Sequence, residues 1–318
     1  MELSSAAMVA FKTKFDAEFN KAFELAGTNY EKAAFVFNSG RVETVQHRWM
    51  KGFPQMREFV GARVINNVDS AGFAVSNKKW EDTVGIQRVD LERDQWGVYS
   101  PLVGRIGQQA KQHRDKLTFE LMSDAIVGTS SATLCYDNAQ FYGAHTRTKT
   151  AFNYNNKGTA ALASGSLQSA IISLRKRTDN EGAKLAAATA KPLLIVPPDL
   201  EFTASQLANQ TFTVQTAPGA STTQSTSNYG AQGENILKGM FDFVVSPWLK
   251  TATEWHLTLV DPMFKPVIFQ LEQDIEILAW DKFLTRYAEF DEFTWGVRAL
   301  YNVAMGIPEV SFGSTGAA

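Results

Sequence analysis

Phe11, Phe15 and Phe19, followed by Ala22, Phe23 and Ala26, recur at helical spacing among Lys12, Lys14, Asp16, Glu18 and Lys21. This pattern predicts an amphipathic helix that stops at Gly27. Its apolar face suits packing against its own domain or docking on a neighbouring chain. A second stripe, Leu102, Ile106, Ala110, Leu117, Leu121 and Ala125 with Val103, Met122 and Ile126, predicts a helix over residues 101–126. Pro101 fits its first turn and Gly128 its stop. If continuous it is about 39 Å long at 1.5 Å per residue. Gly104, Gly107 and Asp115 are candidate points of bending, and the two glycines also suit close helix packing.

Between these helices the period changes to that of a strand. Phe73 and Val75 alternate with small or polar residues; Trp80, Val84 and Ile86 then share one parity, and Val89 and Leu91 the other. The switch predicts a bulge or twist near Arg88, because one extra residue sends every later side chain to the opposite face. Two turns are candidates for the tip, Asp69-Ser70-Ala71-Gly72 and Ser76-Asn77-Lys78-Lys79. A two-stranded arm with charges on both faces is not stable alone in water, so the stretch 62–92 is expected to project and lie on a neighbouring subunit. Its candidate inter-subunit contacts are Arg63, Lys78, Lys79, Trp80, Glu81, Asp82, Arg88, Asp90, Glu92 and Arg93.

Beyond the long helix the pattern is mixed. Residues 137–145 read as a loop, 164–177 as a helix, and Leu193-Leu194-Ile195-Val196, closed by Pro197-Pro198, as a buried strand. A helix is predicted over 203–210, strands over 241–245 and 255–260, and an exposed flexible loop over the polar stretch 217–232. Three strands follow, 267–271, 275–280 and 293–305, with 283–290 as a connection. No internal repeat or clean linker is present. The fold class is α+β, a middle lobe inserted between a helix and a returning sheet.

The 318 residues carry 31 basic and 33 acidic side chains, a formal net charge of -2, which argues against a dedicated nucleic-acid binder. A single cysteine, Cys135, excludes a disulfide framework and fits a reducing compartment. No apolar run approaches the roughly 20 residues that span a bilayer, and the pattern is that of a soluble intracellular product with no membrane partner. His47, His113, His145 and His256 are scattered without metalloprotease spacing. Asp137 with His145 falls short of a metal first shell, and a structural or solvated role fits them better. Gly104-Arg105-Ile106-Gly107 lacks the third glycine of a dinucleotide fingerprint, and no nucleophile elbow or phosphate-cradling loop occurs. Catalytic, cofactor and metal sites are therefore expected to be none.

Several segments carry a resemblance together. They are Phe53-Pro54-Gln55-Met56-Arg57-Glu58-Phe59-Val60-Gly61-Ala62-Arg63, Asn77-Lys78-Lys79-Trp80-Glu81-Asp82-Thr83-Val84 and Asp94-Gln95-Trp96-Gly97-Val98-Tyr99. Further along come Tyr136-Asp137-Asn138-Ala139-Gln140-Phe141-Tyr142 with His145, Asn235-Ile236-Leu237-Lys238-Gly239-Met240, Trp255-His256-Leu257 with Lys265-Pro266, and Phe293-Thr294-Trp295-Gly296-Val297-Arg298-Ala299. In this order they resemble the major head subunit of Mu-like phages and prophages. Arg93-Asp94, where the family often has a second acidic residue, and Asn138, where it often has glycine, depart from the pattern; Asn tolerates left-handed backbone.

The resemblance implies the tailed-phage capsid fold, often called the Hong Kong 97 fold. It implies an amino-terminal arm over 1–61, an extended loop over 62–92, a peripheral domain with a spine helix over 93–133, an axial domain over 134–264, and returning peripheral strands over 265–318. It further implies a structural protein of the virion, assembled in the bacterial host cytoplasm as homo-pentamers and homo-hexamers. Scaffold, portal and decoration proteins are the implied partners, and double-stranded DNA is enclosed without sequence-specific binding. Lys78 and Lys79 beside Asn77 do not by themselves carry the lysine-to-asparagine crosslink of some capsids, which needs a partner's carboxylate placed by assembly. A two-lobed intracellular enzyme and a nucleocapsid-like binding protein are the competing readings; the first lacks a catalytic constellation and the second a basic face.

Overall fold

The predicted amphipathic helix forms as α1 (Ser5–Leu25). The computed structural model describes residues 5–50, 70–93, 97–128, 130–146, 153–178, 184–214, 232–261, 265–278 and 292–317. After α1 come α2 (Tyr30–Ala33), β1 (Ala34–Asn38), β2 (Thr44–Met50), β3 (Ser70–Ser76), β4 (Lys78–Gln87), α3 (Arg88–Arg93) and α4 (Tyr99–Val127). The middle of the chain holds β5 (Ala144–His145), β6 (Tyr154–Asn155), β7 (Lys157–Gly158), α5 (Ser164–Lys176), β8 (Pro192–Val196), α6 (Glu201–Asn209), β9 (Phe212–Val214), β10 (Gln232–Glu234), β11 (Asp242–Val245) and β12 (Trp255–Leu259). It closes with β13 (Val267–Ile277), β14 (Glu292–Met305) and β15 (Ser311–Ser314). Two compact units result: residues 1–47, 72–119 and 267–304, and residues 48–71, 120–266 and 305–318.

The first unit is built on a four-stranded sheet in the order β1-β13-β14-β4. β1 runs parallel to β13 from Ala34↔Val267 to Asn38↔Leu271, and β4 runs antiparallel to β14 from Gln87↔Glu292 to Lys78↔Tyr301. Phe15 and Phe19 of α1 pack with Val103 and Ile106 of α4 and with Ile86, Trp295 and Val297 of the sheet. Burying each ring contributes roughly 1.5–3 kcal/mol, so α1 belongs to its own unit.

The long helix is continuous over 29 residues, about 43 Å. None of the expected bending points divides it. Asp115 accepts hydrogen bonds from the N–H groups of Asn29 and Tyr30 at 2.8–3.0 Å, capping the start of α2. Burial outweighs those bonds and raises its pKa. The two glycines let α1 approach: a Cβ on Gly107 would lie 2.7 Å from the Phe19 carbonyl oxygen, whereas one on Gly104 would meet only Ala22 Cβ at 3.6 Å and Glu18 O at 3.9 Å. Ala in place of Gly gains about 1 kcal/mol of helix propensity, and overpacking costs about 1–3 kcal/mol. Gly104→Ala is therefore expected to preserve or raise the melting temperature and Gly107→Ala to lower it by several degrees in thermal denaturation. The reverse order would refute the packing account. Gly128, at φ 71°, ends the helix as predicted.

The second unit holds a five-stranded sheet in the order β11-β8-β12-β15-β7. The apolar run 193–196 lies in β8, every residue buried, between parallel β11 and antiparallel β12. α5 packs on β12 and β15, and α6 on β8 and β11. The core joins Leu167, Ile171 and Leu174 of α5 to Leu194, Trp255 and Leu257 of the sheet.

Three expectations change. Residues 88–93 form a helix, so the parity switch there is a helical turn rather than a bulge. The strands expected over 267–271 and 275–280 are one strand, β13, whose second half is polar because it is partly exposed. Residues 311–314, expected among the returning peripheral strands, pair with β12 and β7 in the second unit's sheet. The expected loop at 217–231 and the connection at 283–290 lie outside the described residues.

Candidate assembly surface

The expected arm over 62–92 is divided by the structure. β2 and β3 form a two-stranded sheet of their own, while β4 is an edge strand of the first unit's sheet. The hairpin thus begins earlier than expected, at Thr44, and residues 78–92 belong to the body instead of projecting from it. The physical reason is the sheet itself: β4 gains a ten-residue ladder against β14 and buries Ile86. Of the two tip candidates, residues 70–72 lie within β3, and Asn77 marks the break between β3 and β4. Neither is the tip.

The root of the hairpin is clamped by the buried amide of Gln270 and the half-buried amide of Asn77. His47 Nε2 lies 2.8 Å from Gln270 Oε1, and Gln270 Nε2 donates to the Val75 carbonyl (3.1 Å) and to Asn77 Oδ1 (2.9 Å). The Gln270 amide orientation makes Nε2 the donor on His47. Asn77 Nδ2 then donates to Ser39 Oγ, the Val42 carbonyl and Glu272 Oε2 at 2.9–3.2 Å. The His47 ring meets Phe37 edge-on at 5.1 Å and Phe73 at a tilt at 6.0 Å. These bonds tie the base of β2 and β3 to β1 and β13. Sequence reading treated His47 as isolated; a buried Gln inside the apolar run 267–271 was the signal that could have found the clamp.

Of the candidate contacts, Lys78, Lys79, Glu81, Asp82, Asp90 and Arg93 are exposed. Trp80 faces inward. Its indole N–H donates to the Tyr301 carbonyl at 2.9 Å, and its ring meets His113 edge-on at 4.5 Å. With His113, Tyr301, Ala110, Ile275 and Val297 it lines a cavity of about 220 Å³. Burial pushes the Tyr301 phenol up to about 12, and burial with nearby Lys116 lowers the His113 pKa, so two neutral groups share the 2.7 Å bond between them. Arg298, opposite Glu81 in the ladder, is held by Glu276 at 3.0–3.1 Å. Arg88 and Glu92 fall in α3, and Arg63 lies outside the described residues.

The Asp137 loop is buried rather than solvated at its histidine. His145, 2% exposed, places Nδ1 2.7 Å from Asp137 Oδ2 and Nε2 3.1 Å from the Phe141 carbonyl, and stacks on Tyr154. Asn138 takes the left-handed conformation at φ 60°. Cys135, Asp137 and His145 offer donor atoms within 4.8 Å of one another. Burial raises the Cys135 pKa, with Asp137 and Glu309 adding to it, and the neutral thiol donates to the Ala139 carbonyl. Burial would also raise the Asp137 pKa, but the hydrogen bond and charge of His145 bring it below the ordinary carboxylate value. Such a mutually satisfied cluster braces a loop. Among the described residues no helix is long and apolar enough to cross a membrane.

A spine helix beside a four-stranded sheet, a hairpin leaving its edge and a second α/β unit define the tailed-phage major capsid fold, the Hong Kong 97 fold. The chain aligns with a procapsid protein of bacteriophage JBD30 at a TM-score of 0.54 and 23% identity, over 98% of this chain and 76% of that one. The family model for the Mu-like prophage major head subunit gpT matches residues 8–165 of this chain. It is 33% identical over 142 residues to the major capsid protein of Escherichia phage Mu, and 32% identical over 128 residues to the Mu-like prophage FluMu major head subunit of Haemophilus influenzae. These matches cover 45% and 40% of this chain and the same shares of the two relatives.

Proposed function

We propose that the chain is the major head subunit of a Mu-like phage or prophage, a structural protein rather than an enzyme. It assembles with copies of itself, as pentamers and hexamers, into an icosahedral shell around double-stranded DNA. The observation that carries this reading is the β2–β3 hairpin, which pairs with no third strand among the described residues. A two-stranded sheet is marginal in water and calls for further cover, which another subunit would supply. Many modest contacts in a closed shell act as intramolecular ones once the lattice closes. Net charge near zero limits repulsion between copies. A JBD30 capsid is decorated with minor capsid protein trimers; a decoration partner, a scaffold and a portal complete the reading here. The chain then divides into an amino-terminal region before residue 44, the hairpin over 44–76, a peripheral domain with the spine helix to residue 133, an axial domain over 134–264, and returning peripheral strands from 265 to 304, with the last residues joining the axial sheet.

Electron microscopy of the purified protein tests it. Closed shells are expected from the natural chain. Replacing residues 52–68 with a short glycine linker is expected to leave a folded subunit, by circular dichroism, and to abolish shells. A wild-type preparation that stays monomeric under every assembly condition, or shells from the shortened chain, would overturn it.

A further inference from the structure

We propose that the outer edge of β4 pairs antiparallel with β4 of a second copy across a two-fold axis at Trp80, merging two four-stranded sheets into one. The inference rests on the assembly reading and names one of its contacts. β4 is the last strand of its sheet, hydrogen-bonded to β14 along its whole length, and no strand covers its other edge among the described residues. Edge strands of this length are usually blunted, because their open N–H and C=O groups template pairing with another chain.

The charges on this edge select one pairing. Around Trp80 the sequence Lys78-Lys79-Trp80-Glu81-Asp82 inverts in sign. Antiparallel pairing centred on Trp80 sets Lys78 opposite Asp82 of the second copy and Lys79 opposite Glu81, each pair occurring twice. Residues directly opposite share a face, so each cation meets its anion. Centring the axis on Lys79 or Glu81 instead opposes like charges, and parallel in-register pairing does so at every charged position. All four side chains are exposed and make no hydrogen bond or ion pair among the described residues. The strand thus carries charges that reject other registers and match its own.

Two experiments on the full-length chain test this. In a directly opposed antiparallel pair the Cα atoms lie about 4.5–5.5 Å apart, within disulfide reach. The Lys79→Cys, Glu81→Cys double variant, oxidised after assembly, is expected to run as a covalent dimer on a non-reducing gel, with each single variant giving several-fold less. Lys79→Glu or Glu81→Lys alone is expected to cut shell yield at low salt at least tenfold. Combining the two restores opposite charges and is expected to recover most of that yield. Wild-type shells with no 79–81 linkage, or a charge-swapped double variant as poor as the singles, would overturn the pairing and leave the assembly reading standing. If the wild type forms no shells, the assembly reading fails, and linkage of concentrated subunits still decides the pairing: its presence supports it and its absence overturns it.

Discussion

Arg177→Ala is expected to destabilise the second unit by about 3–5 kcal/mol, the largest loss from any single substitution considered. Arg177 Nη1 donates to the carbonyls of Pro308, Glu309 and Ser311 at 2.7–3.2 Å, and its guanidinium lies over the Tyr154 ring. These bonds tie the end of α5 to the segment that leads into β15. Truncation takes the cation from all three carbonyls, of which Pro308 keeps the Asn156 amide and the Ser311 N–H as donors. Lys retains the charge but neither the planar fork nor the ring stacking, so Arg177→Lys is expected to fall between. Urea unfolding followed by far-ultraviolet circular dichroism measures both; a loss under 1 kcal/mol for the alanine variant would remove the tether from the account.

The second unit is also expected to lose stability in mild acid through His256. Its ring is fully buried, with Nδ1 2.9 Å from the Tyr142 hydroxyl, and burial holds its pKa down at about 3. An unfolded histidine titrates near 6.5. Between these values the unfolded chain binds a proton that the folded chain refuses, so stability falls as pH drops from about 6.5 towards 3. The slope is about 1.4 kcal/mol per pH unit, or roughly 2 kcal/mol by pH 5. His256→Gln is expected to be less stable than wild type at pH 7 and to lose this part of the slope. Equal pH slopes for the two proteins in urea titrations would show that the ring is not held neutral.

What could be read from the chain was set by the length and regularity of each pattern. The phenylalanine stripe of α1 and the 29-residue α4 repeat their period often enough to be unambiguous, and β8 is apolar throughout. The six residues of α3 are too few to separate a helical turn from a strand that changes face. β15, Ser-Phe-Gly-Ser, has no strand preference of its own and is ordered by its neighbours in the sheet. The charged run at residues 78–82 was legible as a surface, but its place was not. Alternating charge marks a strand with open faces equally well in a projecting arm and at a sheet edge, and only the ladder to β14 separates the two.

Both sheets join strands distant in the chain: Ala34 pairs with Val267, and Trp255 with Ser314. On a ribosome adding roughly 5–20 residues per second, β1 waits some tens of seconds for β13. Neither sheet can close until residues 267–314 have been synthesised. The β2–β3 hairpin can pair long before then, whereas β1 and β4 wait for β13 and β14 to join them into one sheet. Order of synthesis thus sets the hairpin first and the body that carries it last.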